Sequence, residues 1–218
     1  MGTIKQGILG GFSGKVGTVV GGSWKGISYM RGRAQNVKNP RTEAQMEQRS
    51  KFALSLEFLK PITGYVRTGY KTFANKQTEF NAAMSYICLN AITGTYPDYA
   101  LDFSLALVSR GSLMPAENAT ATASTGKITL LWNDNSGVGD ALATDLAMPL
   151  VFNKDKGEAV FNTAAATRAD GTTDVNVPAN WVGDKVEVYL GFVSADGKSV
   201  ANSVYLGEKT VVSEETGA

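Results

Sequence analysis

Gly7 to Gly26 reads GILGGFSGKVGTVVGGSWKG, and eight of these twenty residues are glycine. Glycine loses more backbone entropy on folding than other residues, so a stretch this rich in glycine is costly to order. The residues between the glycines, such as Val16, Val19 and Trp24, favour extended structure. A segment with both properties is suited to lie close against another backbone. We therefore predict a Gly-rich, basic, extended arm over residues 1–41 that rests on its own chain or on a neighbouring copy.

This stretch does not match the glycine motifs that bind nucleotides. A P-loop requires Gly, four residues, and then Gly-Lys followed by Ser or Thr. Here Val16 follows Gly14 and Lys15, and Leu9 stands where the first glycine would be. The spacing G-x-G-x-x-G is also missing. The sequence therefore predicts no cofactor.

The residue types needed for most catalytic and metal sites are scarce. The chain has no histidine and one cysteine, Cys88, which excludes His-based triads, Cys-His nucleophiles, His-ligated metals and an intrachain disulfide. The loop that starts at Asp134 lacks the spacing of a calcium loop and predicts a turn. We expect no catalytic residues and no metal site, and hence a protein that is not an enzyme.

The sequence gives no sign of membrane insertion or secretion. No apolar run approaches the roughly 20 residues that span a bilayer, and no signal-peptide pattern opens the chain. We expect synthesis in the cytoplasm, followed by release if the protein is part of a particle. Residues 213–218 are polar and predict a flexible tail.

Charge is divided unevenly along the chain. Residues 1–76 hold 13 Lys and Arg against 3 Asp and Glu, a balance of +10, whereas residues 77–218 hold 8 against 17, a balance of −9. Such asymmetry favours a polyanionic partner for the basic part or copies that stack basic part against acidic part. The simpler alternative is that the basic and the acidic parts each face solvent and bind no partner through their charge.

The arm's basic residues are interleaved with aromatic ones. Arg31 and Arg33 follow Trp24 and Tyr29 closely, and no acidic residue interrupts the segment 27–42. This pattern suits a nucleic-acid backbone, and it equally suits a segment that reaches an acidic neighbouring subunit.

Helical periodicity covers residues 42–95. Thr42 and Gln45 fit a capping box for a first helix that stops at Pro61, and Thr78 can cap a later one. A shorter helix is predicted between them. The stripe predicted for the first helix from helical spacing comprises Met46, Arg49, Ala53 and Leu56, with Phe52 and Leu59 on the neighbouring row.

The period changes to two after Tyr96, which predicts an immunoglobulin-like β-sandwich over residues 96–212. Leu101 to Leu107 alternate as a strand, and Asp196-Gly197 marks a hairpin between 184–194 and 199–206. Further strands are predicted at 118–123, 127–133, 146–153, 158–162 and 173–178. The fold class is therefore α+β: an arm, a small helical region and a sandwich.

Several segments together resemble a known family. They are GFSGKVGTVVG, Trp24-Lys25-Gly26, Pro40-Arg41-Thr42 and the run from Gln45 to Phe52. With them the chain resembles uncharacterised Bacteroidota proteins that carry a domain of unknown function, including sequences linked to their phages. The resemblance is strongest over residues 1–75. It implies a two-part fold and brings no known activity or site residues.

We expect a structural subunit that self-assembles through the arm into a phage virion component or filament, as a homo-oligomer or polymer. The predicted contact residues are Phe12, Lys15, Val19, Trp24, Lys25, Tyr29, Arg31 and Arg33, although Phe12 and Trp24 could instead be buried in their own domain. Two alternatives remain. In one, the basic half is a nucleic-acid-binding module. In the other, the sandwich loops bind a glycan or surface ligand, with Trp132, Trp181 and Tyr189 as candidate stacking platforms, although strand alternation indicates that at least two of these rings are core residues.

Overall fold

A computed structural model describes residues 2–4, 7, 10–24, 26–36, 41–75 and 77–212. The chain divides into two compact units, Met1–Thr42 and Glu43–Ala218. The predicted contact residue Lys25 and the predicted tail 213–218 lie outside the described residues.

The first unit is a four-stranded antiparallel sheet with the strands in chain order. Its strands are β1 (Thr3–Ile4), β2 (Phe12–Val16), β3 (Val19–Trp24) and β4 (Ile27–Gly32). The sequence predicted one extended arm; the chain instead reverses direction at Gly17 (φ 58°) and Gly26 (φ 85°). Glycine adopts these left-handed conformations without steric cost, which is why the segment folds back on itself.

The second unit begins with three helices, α1 (Glu43–Leu59), α2 (Thr63–Gly69) and α3 (Glu79–Asn90). The predicted cap of α3 is confirmed, since the Thr78 hydroxyl accepts a hydrogen bond from the Asn81 amide at 3.2 Å. Within the described residues, no helix is both long and apolar enough to cross a membrane.

In the part of the chain that the structure describes, nine strands follow the helices. They are β5 (Ile92–Thr93), β6 (Ala100–Leu101), β7 (Glu117–Ser124), β8 (Lys127–Asn133), β9 (Leu146–Asn153), β10 (Glu158–Phe161), β11 (Thr172–Asn176), β12 (Lys185–Val193) and β13 (Val204–Thr210). They form antiparallel sheets in the orders β10-β9-β12-β13, β11-β8-β7 and β5-β6. The α+β class is therefore confirmed, and the two larger sheets are compatible with the predicted sandwich.

The central strands β9 and β12 are covered on both faces. Val151 and Phe192 belong to a core shared with the three-stranded sheet, whereas Leu150 and Tyr189 belong to a core shared with the helices. Both strands read as nearly continuous apolar runs, as expected for strands buried on two sides. The helices and both sheets thus form one layered unit.

Two buried tyrosines form hydrogen bonds between the helical region and later parts of the chain. Tyr65 of α2 donates a hydrogen bond to the Met148 carbonyl of β9 at 2.9 Å, and Tyr70 donates to the Leu107 carbonyl at 2.8 Å. Both rings are fully buried. Each bond satisfies a hydroxyl that would otherwise be costly to bury.

The predicted turn at Asp196-Gly197 is confirmed. The Ser194 amide donates to the Ser199 carbonyl at 2.9 Å, and Gly197 has a φ of 67°. The partner strand β13 starts at Val204, later than predicted, and Val200 contributes only an isolated bridge to Val193.

Two local predictions are wrong. The strand predicted from Leu101 to Leu107 ends at Leu101, where the chain turns instead of continuing as a strand. The predicted stripe of α1 is wrong in part: Leu59 is buried as predicted, but Phe52 and Leu56 are exposed. Ser55 and Phe58 are buried in their place. Apolar residues occur on both sides of α1, so periodicity alone selected the wrong side.

A candidate assembly surface on the N-terminal sheet

Strand register places the predicted contact residues on two faces of the N-terminal sheet. Lys15 pairs with Val20, and Val20 pairs with Arg31, so these three side chains share one face. Residues two apart on a strand point the same way, which adds Trp24 and Tyr29 to that face. We call it the basic face.

The opposite face is apolar. Val16 pairs with Val19, and Met30 lies in the row that also contains Gly14 and Gly21. Phe12 lies two residues from Gly14 and shares this side. We call it the apolar face.

The sheet has almost no interior of its own. Gly21 is the one buried residue among the described residues of the first unit. On the apolar face Met30 is 71% exposed, and on the basic face Ile27 is 73% and Trp24 is 52% exposed. Apolar side chains are therefore exposed on both faces of the sheet, and exposed apolar groups concentrated on one small element favour a contact site.

The long edge of the sheet is strand β4. The strand order places β4 at one end of the sheet, and all six of its residues are exposed. An exposed edge strand presents backbone donors and acceptors that can pair with a strand from another chain. Ile27 and Met30 border that edge.

A recess of about 280 Å³ lies within the same unit. It is lined by Gly10, Gly11, Phe12, Ser28, Tyr29 and Met30. Its walls combine glycine backbone with the side chains of Phe12, Tyr29 and Met30, so it has room for an apolar side chain from a partner.

Seven of the eight predicted contact residues lie in this sheet or directly after it. Arg33 follows β4, and its amide donates to the Thr18 carbonyl at 2.7 Å, which continues the β-type pairing. Phe12 and Val19 are half-buried and the other five are exposed. Ile27, Met30 and Val16 are exposed as well and were not among the residues predicted from the sequence.

The residues proposed from the sequence as ligand-stacking platforms are buried. Trp132 is 5% exposed, Trp181 is 1% and Tyr189 is 0%. Their polar atoms bond internally: Trp132 Nε1 donates to the Arg168 carbonyl at 2.8 Å and Trp181 Nε1 to Glu158 Oε2 at 3.0 Å. The interpretation of these rings as glycan platforms is therefore wrong, because none of them presents an open face.

The predicted turn at Asp134 is confirmed. Asp134 Oδ1 accepts the Ser136 amide at 2.9 Å and also accepts the Ser136 hydroxyl. These bonds lower the pKa of the Asp134 carboxyl. Across the described residues, no group of three or more Cys, Asp or Glu side chains has the arrangement of a metal site.

The described structure is therefore that of an α+β protein in which residues Met1–Thr42, with the N-terminal sheet, form a compact unit of their own. The chain belongs to a family of unknown function, DUF6266, whose match covers residues 11–207. The matched segment includes β2, β3 and β4 and the three helices, so three of the four described strands of the N-terminal sheet lie within the family's domain, and β1 lies before it. No curated protein matches the chain.

Proposed function

We propose that this protein is a non-enzymatic structural subunit that self-assembles through its N-terminal sheet. The observation that carries the proposal is the exposure of apolar side chains on both faces of a sheet that buries none of its own described side chains. Small sheets need a packed face to be stable, so this one gains stability when another surface covers it.

Strand β4 supplies the means of contact. A strand from another copy can add to its exposed edge, with backbone hydrogen bonds giving affinity. Side chains that flank the edge, chiefly Ile27 and Met30, would then be buried, and each could contribute about 1.5–3 kcal/mol on full burial.

The distribution of charge favours a second copy as the partner. Residues 1–42 hold seven Lys and Arg and no Asp or Glu. Residues 43–218 hold 14 basic and 20 acidic residues, a balance of −6. The basic unit of one copy is therefore complementary to the acidic unit of the next, which is the arrangement that yields head-to-tail rings or filaments.

The particle we propose is a phage virion component or filament of Bacteroidota, in keeping with the resemblance carried by residues 1–75. The sandwich would be an immunoglobulin-like domain displayed outward. The immunoglobulin-like assignment is supported by seven antiparallel strands in two facing sheets, with the buried Trp132 between them.

Sedimentation velocity over a range of protein concentrations tests the proposal. The wild type should form species larger than a monomer, and the double variant Ile27→Ser, Met30→Ser should remain monomeric. Leu89→Ser is the matched control, because Leu89 lies on α3 in the other unit and is 80% exposed. It should assemble like the wild type.

Two outcomes would contradict self-assembly through this sheet. One is a wild type that stays monomeric at the highest soluble concentration. The other is a double variant that assembles as well as the Leu89→Ser control.

A nucleic-acid-binding function is the second candidate, and the basic face favours it. Lys15 and Arg31 lie in one cross-strand row, with Tyr29 and Trp24 on the same side. Cations beside aromatic rings suit single-stranded nucleic acid, whose phosphates pair with the cations and whose bases stack.

A salt titration with single-stranded oligonucleotides tests this second function. Affinity should fall steeply with salt, and Arg31→Gln should weaken binding and reduce the salt slope by about one. Arg67→Gln, on α2, is the matched control and should leave binding unchanged. Failure to bind at low salt would exclude this function.

A further inference from the structure

A cavity of about 410 Å³ in the second unit is lined by three carboxylates, Asp140, Asp145 and Asp196. Asp140 and Asp145 come from the loop before β9, and Asp196 comes from the hairpin turn after β12. Among the described residues that line the cavity, no lysine or arginine occurs.

Asp145 lines this cavity, and one of its carboxylate oxygens lacks a hydrogen-bond partner among the described residues. Asp145 is fully buried, and its Oδ2 accepts from Arg168 Nε at 3.1 Å and from the Leu142 amide at 2.9 Å. Its Oδ1 is buried and accepts no hydrogen bond from the described part of the chain. A buried carboxylate oxygen without a donor is costly, so a donor from outside the chain would be favourable here.

Arg168 makes further bonds to acceptors other than Asp145 Oδ1. Its Nη1 donates to Asn135 Oδ1 at 2.6 Å, and its Nη2 donates to the Met114 carbonyl at 2.9 Å. The guanidinium also lies 4.0 Å over the ring of Phe192. Arg168 therefore neutralises the Asp145 carboxylate through Oδ2, and no described residue donates to Oδ1.

The other two carboxylates are held in place by the backbone. Asp140 Oδ1 accepts the Met114 amide at 2.9 Å, and Asp196 Oδ1 accepts the Lys198 amide at 3.0 Å. The Ser194 hydroxyl and the Lys198 amide lower the pKa of Asp196 to about 2, which keeps this group ionised. Each carboxylate retains a second oxygen.

Two lysines lie near Asp196. Lys198 Nζ is 3.1 Å from Asp196 Oδ2, but this side chain is 80% exposed and such a surface pair is weak. Lys71 Nζ donates to the Gly197 carbonyl at 2.9 Å. A guest cation would compete with Lys198 alone for the Asp196 carboxylate.

Apolar side chains complete the wall. Leu113 is buried and Leu142 is 60% exposed, and both line the cavity with the carboxylates. The described carboxylates do not cluster as a metal site would require. Separated carboxylates beside leucines suit a cationic head on an aliphatic stem better than a bare ion.

We propose that this cavity binds an ammonium or guanidinium group carried on an aliphatic stem. The head donates to Asp145 Oδ1 and lies between Asp140 and Asp196, and the stem packs on Leu113 and Leu142. The group could be a Lys or Arg side chain from the basic N-terminal unit of another copy, a source that rests on the proposed function, or a free small amine.

Calorimetric titration of the full chain, at a concentration where light scattering shows monomers, tests the cavity itself. n-Butylammonium should bind saturably with one site, and n-butanol should not bind. Asp140→Asn and Asp196→Asn should each weaken binding at least fivefold, because Asn keeps the backbone bonds and removes the charge. Asp134→Asn, in a nearby turn outside the cavity, is the matched control.

Either of two results would overturn the proposal: no saturable binding of n-butylammonium, or equal binding by Asp140→Asn, Asp196→Asn and the control. Both variants keep Asp145 and its bond to Arg168, so a folding defect does not obscure the result.

A second experiment identifies the source of the cation. If it comes from a neighbouring copy, saturating n-butylammonium should shift the sedimentation profile toward monomers, and n-butanol should not. If assembly is unaffected while binding persists, the ligand is a free amine. If binding persists and no assembly occurs under any condition, the cation-binding role of the cavity is supported and the proposed self-assembly is contradicted.

Discussion

Phe12 lies against the backbone of Gly21 across two neighbouring strands of the N-terminal sheet. A Cβ atom added to Gly21 would be 2.5 Å from Phe12 Cδ2 and 2.7 Å from Phe12 Cε2, and it would also meet the Phe12 carbonyl oxygen. Real Cβ contacts are not this short, so Phe12 can occupy its place only because residue 21 has no side chain.

Gly21→Ala should therefore disrupt the pairing of β2 with β3 and abolish assembly. Limited proteolysis should show faster cleavage within residues 1–42, with the second unit unaffected. Gly32→Ala is the matched control, since a Cβ at Gly32 would meet nothing within 4 Å. Equal cleavage and equal assembly of the two variants would show that the close approach has no structural role.

Arg168→Met should lower the free energy of unfolding by about 3–5 kcal/mol, because it leaves the buried Asp145 carboxylate without its cation. Lys127→Met breaks an exposed pair with Asp174 and should cost less than about 1 kcal/mol. Urea unfolding of both variants measures the difference. A loss for Arg168→Met no larger than that for Lys127→Met would contradict the structural role of the buried pair.

Stability should decline above pH 10. Burial raises the pKa of Tyr65 well above its usual value near 10. A raised pKa of this kind contributes stability that is present below pH 10 and is lost as pH rises, because the unfolded chain then releases a proton that the folded chain keeps. Urea unfolding from pH 8 to 12 should show a decline of about 1.4 kcal/mol per pH unit for each such tyrosine.

Tyr65→Phe should be less stable than the wild type at pH 8 by about 0.5–1.5 kcal/mol, because the bond to the Met148 carbonyl is lost. Its decline above pH 10 should also be shallower. An unchanged slope would show that Tyr65 does not resist ionisation in the folded protein.

Much of the second unit could be predicted from sequence, because its signals are local. The apolar run of β9, the alternation of β8 and the Asp196-Gly197 turn each specify their own structure. Which side of α1 is buried could not be predicted, since Phe52 and Phe58 are equally apolar and only the sheet beneath Phe58 distinguishes them. That sheet is formed by residues far along the chain.

The candidate sites were predictable only in part. The basic and aromatic residues of the N-terminal segment were evident, but the sorting of Lys15 and Phe12 onto different faces depends on register. The orphaned oxygen of Asp145 was not predictable, because it reflects the commitment of Arg168, 23 residues away, to other acceptors. Long-range geometry of this kind leaves no local pattern.

Hydrogen–deuterium exchange of the β4 amides tests self-assembly through the N-terminal sheet most directly. Exchange is measured on wild-type protein above and below the concentration at which it assembles, with the β9 amides as an internal reference. The account predicts that amides of Ile27–Gly32 become markedly slower in the assembled protein, while those of β9 stay equally slow. Assembly without added protection in Ile27–Gly32, or no assembly at all, would contradict it.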